Sequence, residues 1–104
     1  MNRNNPILYI VIPCYNEEKV LPYTNPMFIE KIESLINTGQ VHSSSKVMYV
    51  NDGSKDQTWE LIQQYAKENS HVVGIAQSRN RGHQSSVLAG MHEAAEFADI
   101  VITI

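Results

Sequence analysis

The most informative stretch of this chain is Val47-Met48-Tyr49-Val50-Asn51-Asp52-Gly53-Ser54. Its first half is an apolar run and its second half consists of turn residues, a combination typical of a buried strand that ends abruptly. A carboxylate at the end of a strand, beside a glycine that lets a ligand approach the backbone, is how open α/β sheets build nucleotide pockets. Residues 51–54 also suit an ordinary turn that caps a helix, so the rest of the chain must decide between the two interpretations.

A helix is predicted directly after this stretch, from Lys55 to about Asn69. Ser54 and Gln57 have the spacing of a capping box. Apolar residues then recur at helical intervals and predict one buried stripe, formed by Trp59, Ile62, Tyr65 and Ala66.

The residues before the stretch predict one more strand and one more helix. Residues 7–12 form a nearly continuous apolar run that ends at Pro13, as expected of a strand covered on both faces. Pro22 and Pro26 break the next segment, so the helix is expected at 27–38, with Asn25 as its cap, Pro26 at its first position and Gly39 just past its end. Its apolar stripe comprises Phe28, Ile29, Ile32, Leu35 and Ile36.

The remainder of the chain continues the alternation of strands and helices. Strands are predicted at 71–76 and 99–104, with a helix between them at 84–98. The buried face of that helix is predicted to consist of Val87, Leu88, Met91, Ala94 and Ala95. The alternation indicates one α/β domain over residues 1–104, a Rossmann-like three-layer α/β/α arrangement around a mainly parallel sheet of about four strands.

Composition excludes several classes of protein. The 104 residues are 42% hydrophobic and 18% charged, which argues against disorder, and the net charge of −3 without a basic cluster argues against a nucleic-acid partner. The single cysteine, Cys14, excludes an internal disulfide. With no signal peptide and no apolar run of about 20 residues, the chain is expected to be soluble and cytoplasmic.

Three polar loops follow three of the predicted strands, at 13–18, 51–54 and 78–83. Because the carboxyl ends of parallel strands share one edge of the sheet, these loops are expected to meet where ligands bind. The first strand is not followed by G-x-G-x-x-G, and the chain contains no G-x-x-x-x-G-K-[ST], so neither a dinucleotide fingerprint nor a P-loop is present.

The three loops carry a family resemblance. Residues 11–18, VIPCYNEE, resemble the opening block of family-2 inverting glycosyltransferases, and residues 50–58, VNDGSKDQT, are similar to their second block. Residues 78–84, SRNRGHQ, with 89–91, AGM, resemble the third block of the polyprenyl-phosphate branch, which includes bactoprenol glucosyltransferases and dolichol-phosphate mannose synthase. The three blocks stand in the family's order and spacing.

The resemblance implies the N-terminal, nucleotide-binding half of a GT-A fold, which holds a UDP- or GDP-sugar. It places Pro13 and Tyr15 beside the base and Glu17 near the ribose. It makes Asp52 the acceptor of an imide N–H of the base, an interaction that suits an ionised carboxylate. The nucleotide-binding residues that it implies are Pro13, Tyr15, Glu17, Val50 and Asp52, with Arg79 or Arg81 at the phosphates.

The resemblance also implies what to expect beyond this chain. In the family, the fourth strand delivers an Asp-x-Asp motif that binds a divalent metal, Mg²⁺ or Mn²⁺, and the donor diphosphate. Here the predicted fourth strand reaches Ile104 where that motif is expected to begin. We therefore expect the donor-binding part of a longer enzyme that is associated with the cytoplasmic face of the membrane and uses a polyprenyl phosphate acceptor. The chain itself is expected to hold no catalytic or metal-binding residues, to be inactive, and to self-associate through an exposed sheet edge.

Two other functions are compatible with the sequence. One is a nucleotide-binding module without catalysis. The other is a family member that transfers sugar to a saccharide hydroxyl.

Overall fold

The computed structural model describes residues 5–77 and 82–104. The strands are β1 (Leu8–Cys14), β2 (Lys46–Asp52), β3 (Val72–Gln77) and β4 (Ile100–Thr103), and the helices are α1 (Leu21–Asn37), α2 (Thr58–Glu68) and α3 (His83–Ala95). Strands and helices alternate as the sequence predicts.

The four strands form one parallel sheet in the order β3-β2-β1-β4. β2 and β3 therefore lie on one side of β1, and the chain then crosses over so that β4 pairs with the other side of β1. This reversal is the topological switch point at which open α/β sheets bind ligands. The predicted α/β, Rossmann-like class is confirmed.

Helices cover both faces of the sheet and create two hydrophobic clusters. One cluster lies under α1 and α2 and includes Ile32, Tyr49 and Ile62, none of which is exposed to solvent. The other lies under α3 and includes Val11 and Val50. The predicted stripes of α1 and α2 both pack against the first cluster, which confirms them.

The prediction for the start of α1 was wrong. The helix begins at Leu21, so Pro22 lies in the first turn, where a missing N–H costs nothing, and Pro26 lies inside the helix. Asn25 is not a cap but a buried helical residue, whose Oδ1 accepts a hydrogen bond from the Tyr49 hydroxyl at 2.7 Å. This buried contact with β2, together with the burial of Leu21, offsets the hydrogen bond that Pro26 cannot donate. At the other end, Gly39 has φ 77°, which confirms it as the residue that ends the helix.

The predicted buried face of α3 was also largely wrong. Leu88 and Met91 are 66% and 41% exposed, and Ala95 is exposed as well. Among the residues of the helix whose burial the structure describes, the buried ones are Ser86, Gly90 and Ala94, which recur every four residues and are all small. A Cβ atom on Gly90 would lie 2.3 Å from a Val11 methyl and 2.8 Å from a Val50 methyl. The helix can therefore lie this close to the sheet only because position 90 has no side chain.

β1 extends past the predicted end and includes Pro13. The Val11 carbonyl accepts a hydrogen bond from the Ile104 N–H, so β1 faces β4 at Val11. Pro13, two residues later, points the same way, but the pairing of β1 with β4 ends at Thr103. Among the described residues, the pairs that β1 forms with β2 and β4 leave no carbonyl that needs an N–H at position 13.

Within residues 5–77 and 82–104, none of the helices has both the length and the apolar character needed to cross a membrane.

Candidate functional site

A pocket of about 240 Å³ lies in a crevice at the carboxyl edge of the sheet, where β1 and β2 end and α3 begins. Its lining comes from all three elements and their loops: Pro13, Cys14, Tyr15, Glu17, Asp52, Gly82 and Ser86. Four of the six residues that the resemblance selected therefore meet in one pocket at the predicted edge of the sheet.

Asp52 reaches the pocket because of strand alternation. Met48 and Val50 point to the α3 face of β2, so Asp52, the last residue of the strand, points to the same face just past the core. The residue is only 3% exposed, and its Oδ2 accepts a hydrogen bond from the Gly82 N–H at 3.1 Å. The carboxylate therefore both lines the pocket and ties the start of α3 to the end of β2.

The loop after β1 contributes the more accessible side of the pocket. Tyr15 is 40% exposed, so its ring can pack against a planar ligand, while Pro13 and Glu17 are half-buried. Asn16 between them adopts φ 52°, a left-handed conformation that asparagine tolerates better than most residues.

The loop after β2 differs from the prediction. α2 begins at Thr58, not at Lys55, and its N-cap residue, Gln57, makes no capping hydrogen bond through its side chain, so the capping box of Ser54 with Gln57 is wrong. The Ser54 hydroxyl instead accepts a hydrogen bond from the Asn16 N–H at 3.0 Å. The serine is used between two loops and not within its own helix.

One of the predicted nucleotide-binding residues that the structure describes, Val50, does not line the pocket. Val50 is fully buried in the core against α3 and is not among the lining residues. Strand alternation places Val50 on the same face of β2 as Asp52, but two residues further from the end of the strand, so Asp52 and not Val50 reaches the pocket. Arg79 and Arg81 lie outside the described residues.

Three lining residues were missed by the sequence analysis, namely Cys14, Gly82 and Ser86. Ser86 is fully buried and its hydroxyl donates to the Gln77 Oε1 at 2.9 Å, which joins α3 to the end of β3. The sequence pattern that could have revealed Ser86 is the spacing of the small residues Ser86, Gly90 and Ala94, which marks the buried face of α3. A search for large apolar residues does not detect this pattern. Burial, together with the nearby Glu17 charge, raises the pKa of the Cys14 thiol to about 12, which disfavours the reactive thiolate at neutral pH.

The described part of the chain contains no group of three or more His, Cys, Asp or Glu side chains that could hold a metal ion. A larger hollow of about 760 Å³ lies beside α2 and β3, where Trp59 and Gly74 are among its lining residues. That hollow does not include the carboxyl ends of the strands. We therefore assign the candidate site to the smaller pocket around Asp52, where polar groups from three elements converge.

Comparisons with known proteins identify the family of this chain. Residues 9–103 match the family described as "Glycosyl transferase family 2". The chain is 41% identical over 104 residues to the uncharacterized glycosyltransferase YkoT of Bacillus subtilis (strain 168), a match that covers all of this chain and 31% of YkoT. It is 34% identical over 96 residues to the undecaprenyl-phosphate 4-deoxy-4-formamido-L-arabinose transferase of Pectobacterium carotovorum subsp. carotovorum (strain PC1), covering 91% of this chain and 27% of that protein.

A solved structure shares the fold. The mannosyltransferase PcManGT from Pyrobaculum calidifontis, in complex with GDP-Man and Mn²⁺, superposes with a TM-score of 0.64 at 19% identity, over 93% of this chain and 26% of PcManGT. The chain thus spans less than a third of the length of the relatives that it matches.

The chain belongs to glycosyl transferase family 2.

Proposed function

We propose that this chain is the donor-nucleotide-binding part of a longer family-2 glycosyltransferase, which transfers a sugar from a UDP- or GDP-sugar to a polyprenyl phosphate. The observation that carries the proposal is the pocket at the carboxyl edge of the sheet, where Asp52, Tyr15 and Glu17 line the same space and Asp52 is buried. Its volume is below the roughly 300–1,000 Å³ of sites that enclose a whole drug-sized ligand, so we assign it to the base and part of the ribose.

Each lining group has a distinct role in this proposal. Asp52 accepts a hydrogen bond from a ring N–H of the base, a charge-assisted interaction that a water-poor pocket strengthens. The exposed ring of Tyr15 packs against the base, with Pro13 on the same side of the crevice. Glu17 accepts hydrogen bonds from ribose hydroxyls, the task that acidic residues perform in other α/β nucleotide sites.

The acceptor and the metal are proposed from the relatives and the family resemblance. The similar Pectobacterium enzyme is named for undecaprenyl phosphate, and PcManGT was solved with Mn²⁺. Phosphate oxygens are ionised at neutral pH, so a polyprenyl phosphate attacks the anomeric carbon with less need of a general base than a sugar hydroxyl has. We assign no step to a metal, because the described residues supply no ligand cluster. Membrane association at the cytoplasmic face follows from this acceptor and is part of the proposal.

Binding is tested in the intact protein with Asp52→Asn. We expect UDP or GDP affinity to fall about tenfold or more, since a hydrogen bond to a charged group contributes roughly 1.5–3 kcal/mol. The thermal midpoint should stay within a few degrees of wild type, because an asparagine oxygen can still accept from the Gly82 N–H. The matched control is Asp99→Asn. The Asp99 Oδ2 also accepts a hydrogen bond from a backbone N–H, that of Ile7 at 2.8 Å, but Asp99 lies at the amino end of the sheet.

Calorimetric titration and thermal melting of the three proteins decide the role of Asp52. If Asp52→Asn binds nucleotide like wild type but melts at a much lower temperature, Asp52 is a structural residue and the proposal loses its central contact. An equal loss of affinity in Asp99→Asn would mean that the effect is not local to the pocket.

Turnover is tested with the intact protein, UDP- or GDP-sugar, Mg²⁺ or Mn²⁺, and either polyprenyl phosphate or a saccharide acceptor. We expect a lipid-linked sugar to form, and we expect the 104-residue chain alone to release no nucleotide. Product on the saccharide alone contradicts the proposed acceptor. Nucleotide binding without transfer to either acceptor favours a non-catalytic module.

A further inference from the structure

The loop that carries Tyr15 and Glu17 is held in place by side chains of the loop after β2. Three successive backbone N–H groups of the first loop donate to side-chain oxygens of the second. The Asn16 N–H donates to the Ser54 Oγ at 3.0 Å, the Glu17 N–H to the Thr58 Oγ1 at 2.8 Å, and the Glu18 N–H to the Asp56 Oδ2 at 3.3 Å. We call Ser54, Asp56 and Thr58 the loop clamp.

A fourth hydrogen bond runs in the opposite direction between the same two loops. The Lys55 N–H donates to the Asn16 Oδ1 at 2.9 Å, so Asn16 both donates to and accepts from the second loop. Two segments about 40 positions apart in the chain are thus joined by alternating donors and acceptors. Such pairing fixes the path of the first loop, in which residues 15–17 belong to no helix or strand.

Thr58 is the central member of the loop clamp. It is fully buried at the start of α2, accepts from the Glu17 N–H, and donates its own hydroxyl proton to the Asp56 Oδ1. Asp56 also accepts from the Thr58 N–H at 2.9 Å. Although burial raises the pKa of Asp56, these hydrogen bonds and that from the Glu18 N–H hold it below its ordinary value, in keeping with a carboxylate that stays an acceptor.

We infer that the loop clamp positions the nucleotide site: Thr58, assisted by Asp56 and Ser54, holds Tyr15 and Glu17 at the pocket opposite Asp52. Tyr15 and Glu17 are direct chain neighbours of Asn16, so the backbone that the loop clamp grips determines where both side chains stand. Residues 52–58 therefore contribute to the pocket in two ways, directly through Asp52 and indirectly through the loop clamp, which holds the first loop. This inference rests on the proposed nucleotide-binding function and adds positioning residues to it.

The test is Thr58→Val in the intact protein, titrated with UDP and GDP. The substitution keeps a branched side chain but removes the hydroxyl that the Glu17 N–H requires. We expect nucleotide affinity to fall roughly three- to tenfold, which corresponds to the net contribution of about one hydrogen bond. Thr58→Ser keeps the hydroxyl and is expected to stay within about twofold of wild type. The matched control is Thr38→Val, which removes a hydroxyl that donates to the Ser34 carbonyl at 2.9 Å, at the far end of α1 from the pocket.

A double-mutant cycle distinguishes positioning from a general loss of stability. In a background that already carries Tyr15→Ala and Glu17→Gln, Thr58→Val is expected to reduce affinity little further, because the contacts that it positions are gone. Amide hydrogen exchange without any nucleotide supplies a second measurement. The Glu17 N–H is expected to be protected in wild type and Thr58→Ser and to exchange at least tenfold faster in Thr58→Val.

Several results would overturn the inference. If wild type and Thr58→Val bind nucleotide equally well, the inference is wrong and the proposed function stands. The same holds if Thr58→Val lowers nucleotide affinity as much in the Tyr15→Ala, Glu17→Gln background as in wild type. A wild-type protein that binds neither UDP nor GDP instead overturns the proposed function, and the inference with it. If Thr58→Val does not fold, Ser54→Ala takes its place, since Ser54 is half-buried and grips the same loop through Asn16.

Discussion

Replacing Gly90 with alanine tests the close packing of α3 that brings Gly82 and Ser86 to the pocket. Alanine is intrinsically better than glycine inside a helix by roughly 0.5–1 kcal/mol, so an uncrowded site would be stabilised. In this structure the new methyl would lie 2.3 Å from a Val11 methyl and 2.8 Å from a Val50 methyl, and both valines are completely buried. Carbon atoms pack at about 3.5–4.0 Å, so the helix must retreat by about 1 Å or the valines must leave their rotamers.

The expected free-energy change follows from these opposing effects. Overpacking a close-packed core costs typically 1–3 kcal/mol, and a retreating helix also loses the contacts of Ser86 and Ala94 with the sheet. We therefore expect Gly90→Ala to lower the free energy of unfolding by about 1–2 kcal/mol despite its better helix propensity. Because the same retreat moves the Gly82 N–H away from the Asp52 Oδ2, nucleotide affinity is expected to fall as well.

Urea unfolding followed by circular dichroism measures this change. Glu93→Gly and Glu93→Ala, compared at an exposed position of the same helix, give the difference in helix propensity without any collision. If Gly90→Ala is as stable as wild type or gains the stability that the Glu93 pair predicts, α3 does not lie as close to the sheet as described. The account of how Gly82 and Ser86 reach the pocket then fails.

Two further predictions concern titratable groups at the site. Hydrogen bonds from Thr58 and from the Glu18 N–H lower the pKa of Asp56 against the effect of burial, so its stabilisation is complete above the unfolded value of about 3.9 and is lost as the pH falls through the lower folded value. The difference in urea midpoint between wild type and Asp56→Asn should therefore shrink below about pH 4, and a pH-independent difference would contradict this assignment. Burial and the Glu17 charge raise the pKa of Cys14 to about 12, so the folded chain at pH 8 should resist a disulfide reagent such as DTNB and react only when unfolded in urea. Rapid labelling of the folded chain would refute the buried position of the thiol.

The order of the seven elements and the edge at which the pocket forms could be predicted from the sequence. Apolar runs that end in turn residues located the strands, and periodic apolar residues such as Ile32 and Ile62 located α1 and α2. Parallel strands place their carboxyl ends together, so Tyr15, Glu17 and Asp52 could be expected to meet before any coordinates were known. These predictions succeeded because each depends on a pattern that is local in the chain.

The errors all involve partners that are distant in the chain. Local rules put a cap at Asn25, but the hydroxyl of Tyr49 makes that residue part of a longer helix. The spacing of Ser54 and Gln57 indicated a capping box, yet the serine accepts from Asn16 across the crevice. In each case a polar side chain had two possible partners, and the packing of the sheet decided which one was within reach.

Sequence alone therefore determined the class of fold, the family blocks and the edge of the sheet at which the pocket lies. Tertiary structure decided which residues touch: the small face of α3 turned inward, Val50 buried in the core, and Thr58 holding the loop of Glu17. The physical reason is that hydrophobic periodicity records how apolar a face is, while it does not record how closely two faces can approach. Close approach depends on the absence of side-chain atoms, as at Gly90, and only the neighbouring strands reveal what that absence permits.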